Sequence, residues 1–526
     1  MKKFISLFIV LIIFALPSCG NSTSNNSTTT AAPATTQVPQ EPTTTQAPTQ
    51  APSMIENTQG NNQSNESYLP IEENKNISTA QESVITFSLK VDTASYTNIE
   101  RYIDSGSLPP SDAVRIEEML NYFPYDEKMP QSDYAFSIYN EIGRSPFDAN
   151  KYLAFVRVKS KDVDMNSLPK SNLTFLIDTS GSMDAYDKLP LLKESFKLLV
   201  DSLTEGDKIS IVTYAGSSQI LLDSATIADK GSILSAIDRL SAGGSTAGAE
   251  GINTAYRLAE KNFINGGNNR IILATDGDFN VGISTTQGLE DLVSQKRESG
   301  IYLSILGFGT GNTRDDIMET LSKNGNGNYS YIDSVKTAEK VLVDEAKTNM
   351  YTIADDVKAQ VEFNPNEVSS YRLIGYENRQ MANQDFNNDA KDAGEIGIGT
   401  DVVLMFELGL KSDDNSVELK YTTTEVPFSD ELFEVRIRYK NPGETQSIEM
   451  KNPTKKEDMK DFNTNDYNFA KSVAAFGSIL RNSQYAANLN IDDIVNIALD
   501  SKGTDAKGYR QGFIDLVEKY RSLTYK

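Results

Sequence analysis

The chain has 526 residues, enough for about three domains of about 150 residues each, and its 38% hydrophobic and 23% charged residues suit a globular protein with a large core. A formal charge of −23 argues against a nucleic-acid partner, because phosphate binding needs concentrated Lys and Arg, and against docking on anionic lipid through charge. With no His and a single Cys, a Ser-His-Asp triad, a His-activated Cys, His-ligated zinc or iron, a disulfide within the chain and a thiolate cluster are all excluded, so any metal site must use oxygen ligands, which suit Mg²⁺, Ca²⁺ or Mn²⁺.

At the N-terminus, Lys2 and Lys3 precede the apolar run FISLFIVLIIFAL. That run is too short for a comfortable membrane span and right for a secretory signal, assigned to residues 1–18. It ends in LPSCG, residues 16–20, which resembles a bacterial lipobox. The resemblance implies that Cys19 is diacylated and becomes the mature N-terminus; an ordinary signal peptide with an incidental Cys is the alternative. The implied location is the bacterial cell envelope, with the lipid in the membrane. Gly20 after the Cys, rather than Asp, implies the outer membrane in a cell that has two, and otherwise the outer face of the plasma membrane. Residues 19–82, rich in Ser, Thr, Pro and Gln (TTTQAPTQAP), hold too few apolar side chains to fold. They are expected to form a tether with a reach of roughly 40–50 Å.

Residues 83–165 form an N-terminal α+β flank. ITFSLKVDTASYTNIERYIDSG predicts a strand and then a helix from about Ser95, DAVRIEEMLNYF a second helix, and YAFSIYNEIG and KYLAFVRVKSKDV alternating strands. Residues 166–352 change character. The apolar runs NLTFLID, KISIVTYA, RIILATD, IYLSILGFG and NYSYID alternate with amphipathic helices such as LPLLKESFKLLVDSL, and VKTAEKVLVDEAK closes the set. Continuous apolar strands between helices imply a doubly wound, mainly parallel sheet covered on both faces, with SQILLDSATI as a short antiparallel edge. Residues 353–526 return to strands (DVKAQVEFNP, SSYRLIGYE, TDVVLMFELGL, ELFEVRIRYKNP) and end in helices. Each flank is short of strands to close a sandwich alone. The two are therefore expected to share one β-domain with the α/β domain inserted between them.

Ligands of an open parallel sheet sit at the carboxyl ends of its strands. Three polar clusters fall there or on adjacent loops: Asp178, Ser180 and Ser182 after the first strand; GGSTAG, with Thr246 in its middle; and ATDGD, where Asp276 ends a strand. Each alone has a bland reading, as helix cap, flexible loop or strand-to-turn junction. Together and in order they resemble the metal-ion-dependent adhesion site of von Willebrand factor type A domains. Outside them, VDTASYTNIERYIDSGSLPPSDAVRIEEMLNYFPYD and VEFNPNEVSSYRLIGYENRQMANQDFNNDAKDAGEIG resemble the flanks of a bacterial family of envelope lipoproteins in which a type A domain lies between two family-specific regions. The resemblance implies that Ser180 and Ser182 coordinate a metal directly, with Thr246 direct or through water, and that Asp178 and Asp276 act largely through bound waters. The implied ion is Mg²⁺, with Mn²⁺ or Ca²⁺ as alternatives. The implied partner is a protein presenting an exposed Glu or Asp that completes the metal's shell.

Three motifs are set aside. GFGTGN, residues 307–312, lacks the third Gly of a dinucleotide loop, so no nucleotide is expected. DFNNDAKDAGE, from Asp385, has Ala390 and Ile396 where a calcium loop needs Gly and Glu. VDTASY, at 91–96, reads as a helix start. A membrane-tethered binding module is thus the expected function, with no enzymatic activity. The alternatives are a structural envelope protein with an unused site, and a Mg²⁺-dependent hydrolase or phosphatase. The last is disfavoured because the metal loops carry no Lys or Arg except Lys188 and Arg270 at their edges, and phosphoryl transfer needs cations and a positioned nucleophile.

Overall fold

The computed structural model describes residues 66–164, 167–245, 248–277, 286–411 and 430–524. The signal segment and Cys19 lie outside them. The N-terminal flank forms β1 (Ile77–Ser78), β2 (Val84–Ser88), α1 (Ala94–Asp104), α2 (Ile116–Asn121), β3 (Phe136–Arg144) and β4 (Tyr152–Ser160). The middle forms β5 (Ser171–Asp178), α3 (Leu189–Asp201), β6 (Lys208–Tyr214), β7 (Ser218–Thr226), α4 (Lys230–Asp238), α5 (Gly248–Lys261), β8 (Asn268–Thr275), α6 (Thr286–Arg297), β9 (Tyr302–Phe308), α7 (Asp315–Asn324), β10 (Tyr329–Ile332), α8 (Val335–Glu339) and α9 (Ala346–Met350). The C-terminal flank adds β11 (Thr352–Phe363), β12 (Val368–Ile374), β13 (Gln380–Met381), β14 (Gly394–Gly397), β15 (Asp401–Leu410), β16 (Glu431–Lys440), β17 (Ser447–Lys455), α10 (Asn465–Leu480), α11 (Ile491–Asp500) and α12 (Tyr509–Thr524).

The middle strands build one sheet in the order β10-β9-β8-β5-β6-β7, parallel except for β7, which pairs antiparallel with β6 at the edge. All eight residues of β5 are buried. Leu173, Phe175 and Ile177 pack with Leu192, Phe196 and Leu199 of α3, while Leu176 packs on the other face with Ile252 and Ala255 of α5. The continuous apolar run is thus the mark of a strand with helices on both sides. VKTAEKVLVDEAK departs from a single helix: α8 passes into a π-helical turn at Lys340–Asp344 before α9.

The two flanks do share one β-domain. One sheet runs β1-β12-β15-β4-β3 and the other β13-β2-β11-β16-β17, with β14 on β11, so each contains strands from both sides of the insertion. Between the sheets lie Phe87, Val156, Phe363, Tyr371, Phe406 and Val435. The first sheet is buried on its other face too: Phe155, Val403 and Met405 meet α1, α2 and α10–α12, which is why VVLMF shows no polar alternation. In the second sheet, Ala359, Val361 and Phe363 face the core, while Glu362 and Arg436 lie on the opposite, more solvated face, the ordinary period of a strand covered on one side.

Residues 66–82, expected to belong to the tether, are instead fixed to this body from Glu66 onward. β1 pairs with β12, Asn74 donates to the Gly375 carbonyl at 2.7 Å, and Thr79 to that of Val368 at 2.6 Å. Polar contacts carry much of the attachment, and Ile77 packs against the sandwich core.

The inserted domain is clamped to the flanks by buried ions. Arg115 lies 2.5 Å from Glu118 and 2.7 Å from Asp315 of α7, and Arg379 lies 2.9 Å from Asp92 and 3.2 Å from Glu319 of α7. Lys90 pairs with Asp92 at 3.2 Å and donates to Ser322 of α7 at 2.9 Å. VDTASY is thus both the start of α1 and, through Asp92, part of this clamp.

Candidate metal centre

β5 delivers Asp178 at its carboxyl end with no exposed surface. Asp178 accepts the backbone N–H of Ser180 at 2.8 Å, the Thr275 hydroxyl at 3.1 Å and the Tyr214 hydroxyl at 3.3 Å. The chain then turns through Gly181–Asp184, a short 3₁₀ segment, which leaves the Ser180 and Ser182 hydroxyls 3.0 Å apart. The Ser182 hydroxyl also bonds Asp276, which follows β8. Asp178, Ser180, Ser182 and Asp276 are therefore linked by a short chain of hydrogen bonds. Thr246 lies outside the described residues, but its loop reaches the same place: Gly181 donates to the Gly244 carbonyl at 3.1 Å, and Gly243 to that of Thr179 at 2.8 Å. Gly277 holds φ +89, and a Cβ there would stand 2.7 Å from the Arg314 backbone nitrogen, so only Gly fits the turn after Asp276.

The two carboxylates differ electrically. Burial, with a smaller push from Asp276, raises Asp178 from the usual 3.8 to about 6 against the hydrogen bonds from Ser180 and Thr275. Burial works in the same direction on Asp276. There the Lys188 ammonium, 3.0 Å from Oδ2, and hydrogen bonds from Ser182 and Asn312 outweigh it and hold Asp276 below the usual carboxylate range.

Lys188 and Asn312 had no assigned role in the sequence. Lys188, 5% exposed, precedes α3 and turns inward to Asp276, with its Nζ also donating to Asn312 Oδ1 at 2.8 Å. Asn312 Nδ2 donates to Asp276 at 3.1 Å. Asn312 is the residue that spoils the dinucleotide motif; the loop it occupies closes the back of this site. Arg270, the other cation noted near the metal loops, is the third residue of β8 and bonds Ser304 and Thr352. Around the set-aside calcium motif, Asp389 pairs with Arg438 and Asp392 with Arg297, so these carboxylates already hold protein cations.

The donor set fits a hard divalent cation: two carboxylates and two hydroxyls, all oxygen, converging from two strand ends. Among the described residues no three carboxylates gather closely enough to hold a metal ion, so a cation here would depend on the hydroxyls. Tyr186, four residues beyond Ser182, is 86% exposed beside these loops.

Residues 172–344 match the von Willebrand factor type A domain family, residues 62–154 the von Willebrand factor family and residues 348–523 the family described as uncharacterized protein YfbK, C-terminal. Among solved structures, a von Willebrand factor type A protein from Catenulispora acidiphila is similar at 16% identity over 73% of this chain and 89% of its own, with TM-score 0.42. The ArnB paralog VWA2 from Sulfolobus acidocaldarius is similar at 16% identity over 74% and 98%, with TM-score 0.36. Type A domains commonly mediate metal-dependent protein interactions and are usually not enzymes. The uncharacterized protein YfbK of Escherichia coli (strain K12) is 45% identical over 475 residues, which is 87% of this chain and 81% of that protein. An inserted type A domain, flanks that match on both sides of it and this identity along nearly the whole described body make the chain a member of the YfbK family.

Proposed function

We propose that this protein is a non-catalytic, metal-dependent protein-binding module, an adhesion or scaffold element displayed from the cell envelope by a lipid on Cys19. In this reading Asp178, Ser180, Ser182, Thr246 and Asp276 form a metal-ion-dependent adhesion site holding Mg²⁺, with Mn²⁺ or Ca²⁺ as alternatives. Bound there, the ion would supply a coordination position for the carboxylate of a partner's Glu or Asp. The observation that carries the reading is Asp178. It is a buried carboxylate at a strand end, bonded by an amide and two hydroxyls, with no Lys or Arg in ion-pair range among the described residues. A buried charge without a counter-charge is costly, and a metal would remove that cost. Exposed Tyr186 suits the rim of an interface, where Tyr is enriched.

The test is in-cell cross-linking of the wild type and Ser182→Ala. Partners lost in EDTA and in the variant support the reading, and partners retained in both oppose it. Mass spectrometry of the mature N-terminus tests the anchor: a diacylated Cys19 is expected, and a cleaved, lipid-free terminus opposes it.

One observation favours a second reading, a structural envelope protein with an unused metal site: Lys188 already supplies Asp276 with a cation. A Mg²⁺ titration separates the two, because an unused site gives no binding heat at millimolar metal.

A further inference from the structure

We infer that Lys188 is a resident cation of the metal centre, sharing Asp276 with the divalent ion so that metal and partner carboxylate bind tightly only together. The inference rests on the metal-site reading above.

Four observations build it. Lys188 Nζ lies 3.0 Å from Asp276 Oδ2, and its side chain is nearly buried. Asn312 fixes both ends of the contact, accepting from Nζ at 2.8 Å and donating to the same Asp276 oxygen at 3.1 Å. The Lys188 stem crosses Gly309, where a Cβ would stand 2.2 Å from Lys188 Cε, so the path exists because that position has no side chain. Asp178 has no such partner among the described residues, so the positive charge is placed on one carboxylate alone.

Charge counting gives the consequence. Asp178 and Asp276 carry two negative charges, which a divalent ion balances. Lys188 adds one positive charge, and at this burial like charges repel strongly. The centre with metal alone is therefore net positive, and it becomes neutral when one further carboxylate arrives. Lys188 weakens metal binding in isolation and strengthens the hold on an anionic side chain. Its role is to tune the site: a bridge that merely blocks Asp276 would weaken metal binding equally with and without an added carboxylate, whereas a shared carboxylate makes metal binding stronger when the further anion is present.

The experiment is calorimetric titration of the full-length wild type, Lys188→Met and Lys188→Arg with Mn²⁺, with unfolding in EDTA as a fold check. Lys188→Met is expected to bind Mn²⁺ tighter by about tenfold or more, a difference of about 1.4 kcal/mol or more, and Lys188→Arg to resemble the wild type. Wild-type binding with equal or weaker binding by Lys188→Met overturns the inference and leaves the metal site standing. Absence of binding by both overturns the two together, and so does binding by Lys188→Met alone, because Lys188 then replaces the metal at Asp276 instead of sharing that carboxylate with it. Should Lys188→Met fail to fold, Lys188→Gln, whose amide can still bond Asp276 and Asn312, carries the same expectation. The wild type gives an independent answer: acetate at constant ionic strength should tighten its Mn²⁺ binding, and indifference to acetate contradicts the inference.

Discussion

Two sets of buried charges are treated differently. At the clamp between the inserted domain and the flanks, Asp92, Glu118, Asp315 and Glu319 each have an ammonium or guanidinium between 2.5 and 3.2 Å away. At the ends of β5 and β8, Asp276 has Lys188, and Asp178 has only an amide and hydroxyls among the described residues. Burial alone therefore does not mark a functional carboxylate. Each clamp carboxylate has a cation in reach, with three cations serving four carboxylates, and the clamp reads as structure; at the strand-end site Asp178 has no cation in reach among the described residues.

Breaking the clamp should have the largest effect. Arg115→Met removes the cation shared by Glu118 and Asp315 and should destabilise the chain by about 3–5 kcal/mol in urea unfolding, with no dependence on metal. The strand-end site should respond with the opposite sign. Asp178 titrates at about 6 in the fold against the usual 3.8, so between these values the folded state holds more protons than the unfolded one. Its contribution to stability therefore falls as pH rises from about 4 to about 6, by a total of about 3 kcal/mol. In EDTA, Asp178→Asn should be more stable than the wild type by about this amount above pH 6, with the gap closing near pH 4. The Thr275 and Tyr214 hydroxyls can turn to accept from the new amide.

A smaller effect sharpens the comparison from the N-terminal side. Glu66 forms a two-bond pair with Arg101, accepts from Tyr102, and takes the Gly311 N–H at 2.8 Å. Ser67 bonds Thr313, Arg314 and Asp316. Together they strap the loop that carries Asn312. Glu66→Gln should cost about 1–3 kcal/mol and loosen that loop, measurable as faster amide exchange at Gly311. The smallest stability effect is expected at the rim. Tyr186→Ala should change stability by less than about 0.5 kcal/mol while lowering the yield of metal-dependent cross-links.

The inserted domain was legible because its physics is local. β5, β6, β8, β9 and β10 are short apolar runs between amphipathic helices, and the hydroxyl and carboxylate clusters fall at their ends. The shared sandwich was legible only as a shortage of strands, since pairings such as that of Lys358 with Ser88 join residues far apart in the chain. Residues 66–82 were misread because their few apolar side chains, Ile77 among them, and their hydrogen bonds are matched by partners far away in the chain. Lys188 was visible as a cation near the site, but neither its inward turn nor the part of Asn312 follows from sequence. Both depend on how the loop after β9 folds back over Gly309. The break within VKTAEKVLVDEAK left no trace in its pattern, because the π-turn keeps Val341 and Leu342 buried as a regular helix would.

The most direct measurement is thermal unfolding of the chain from Gly20 onward in EDTA and in rising Mg²⁺ or Mn²⁺, beside Asp178→Ala. At 100 times its dissociation constant the ion should stabilise the wild type by about 2.7 kcal/mol, and the variant should show no shift. A wild type indifferent to metal, or an equal shift in Asp178→Ala, would contradict the claim that the strand-end carboxylate belongs to a metal site.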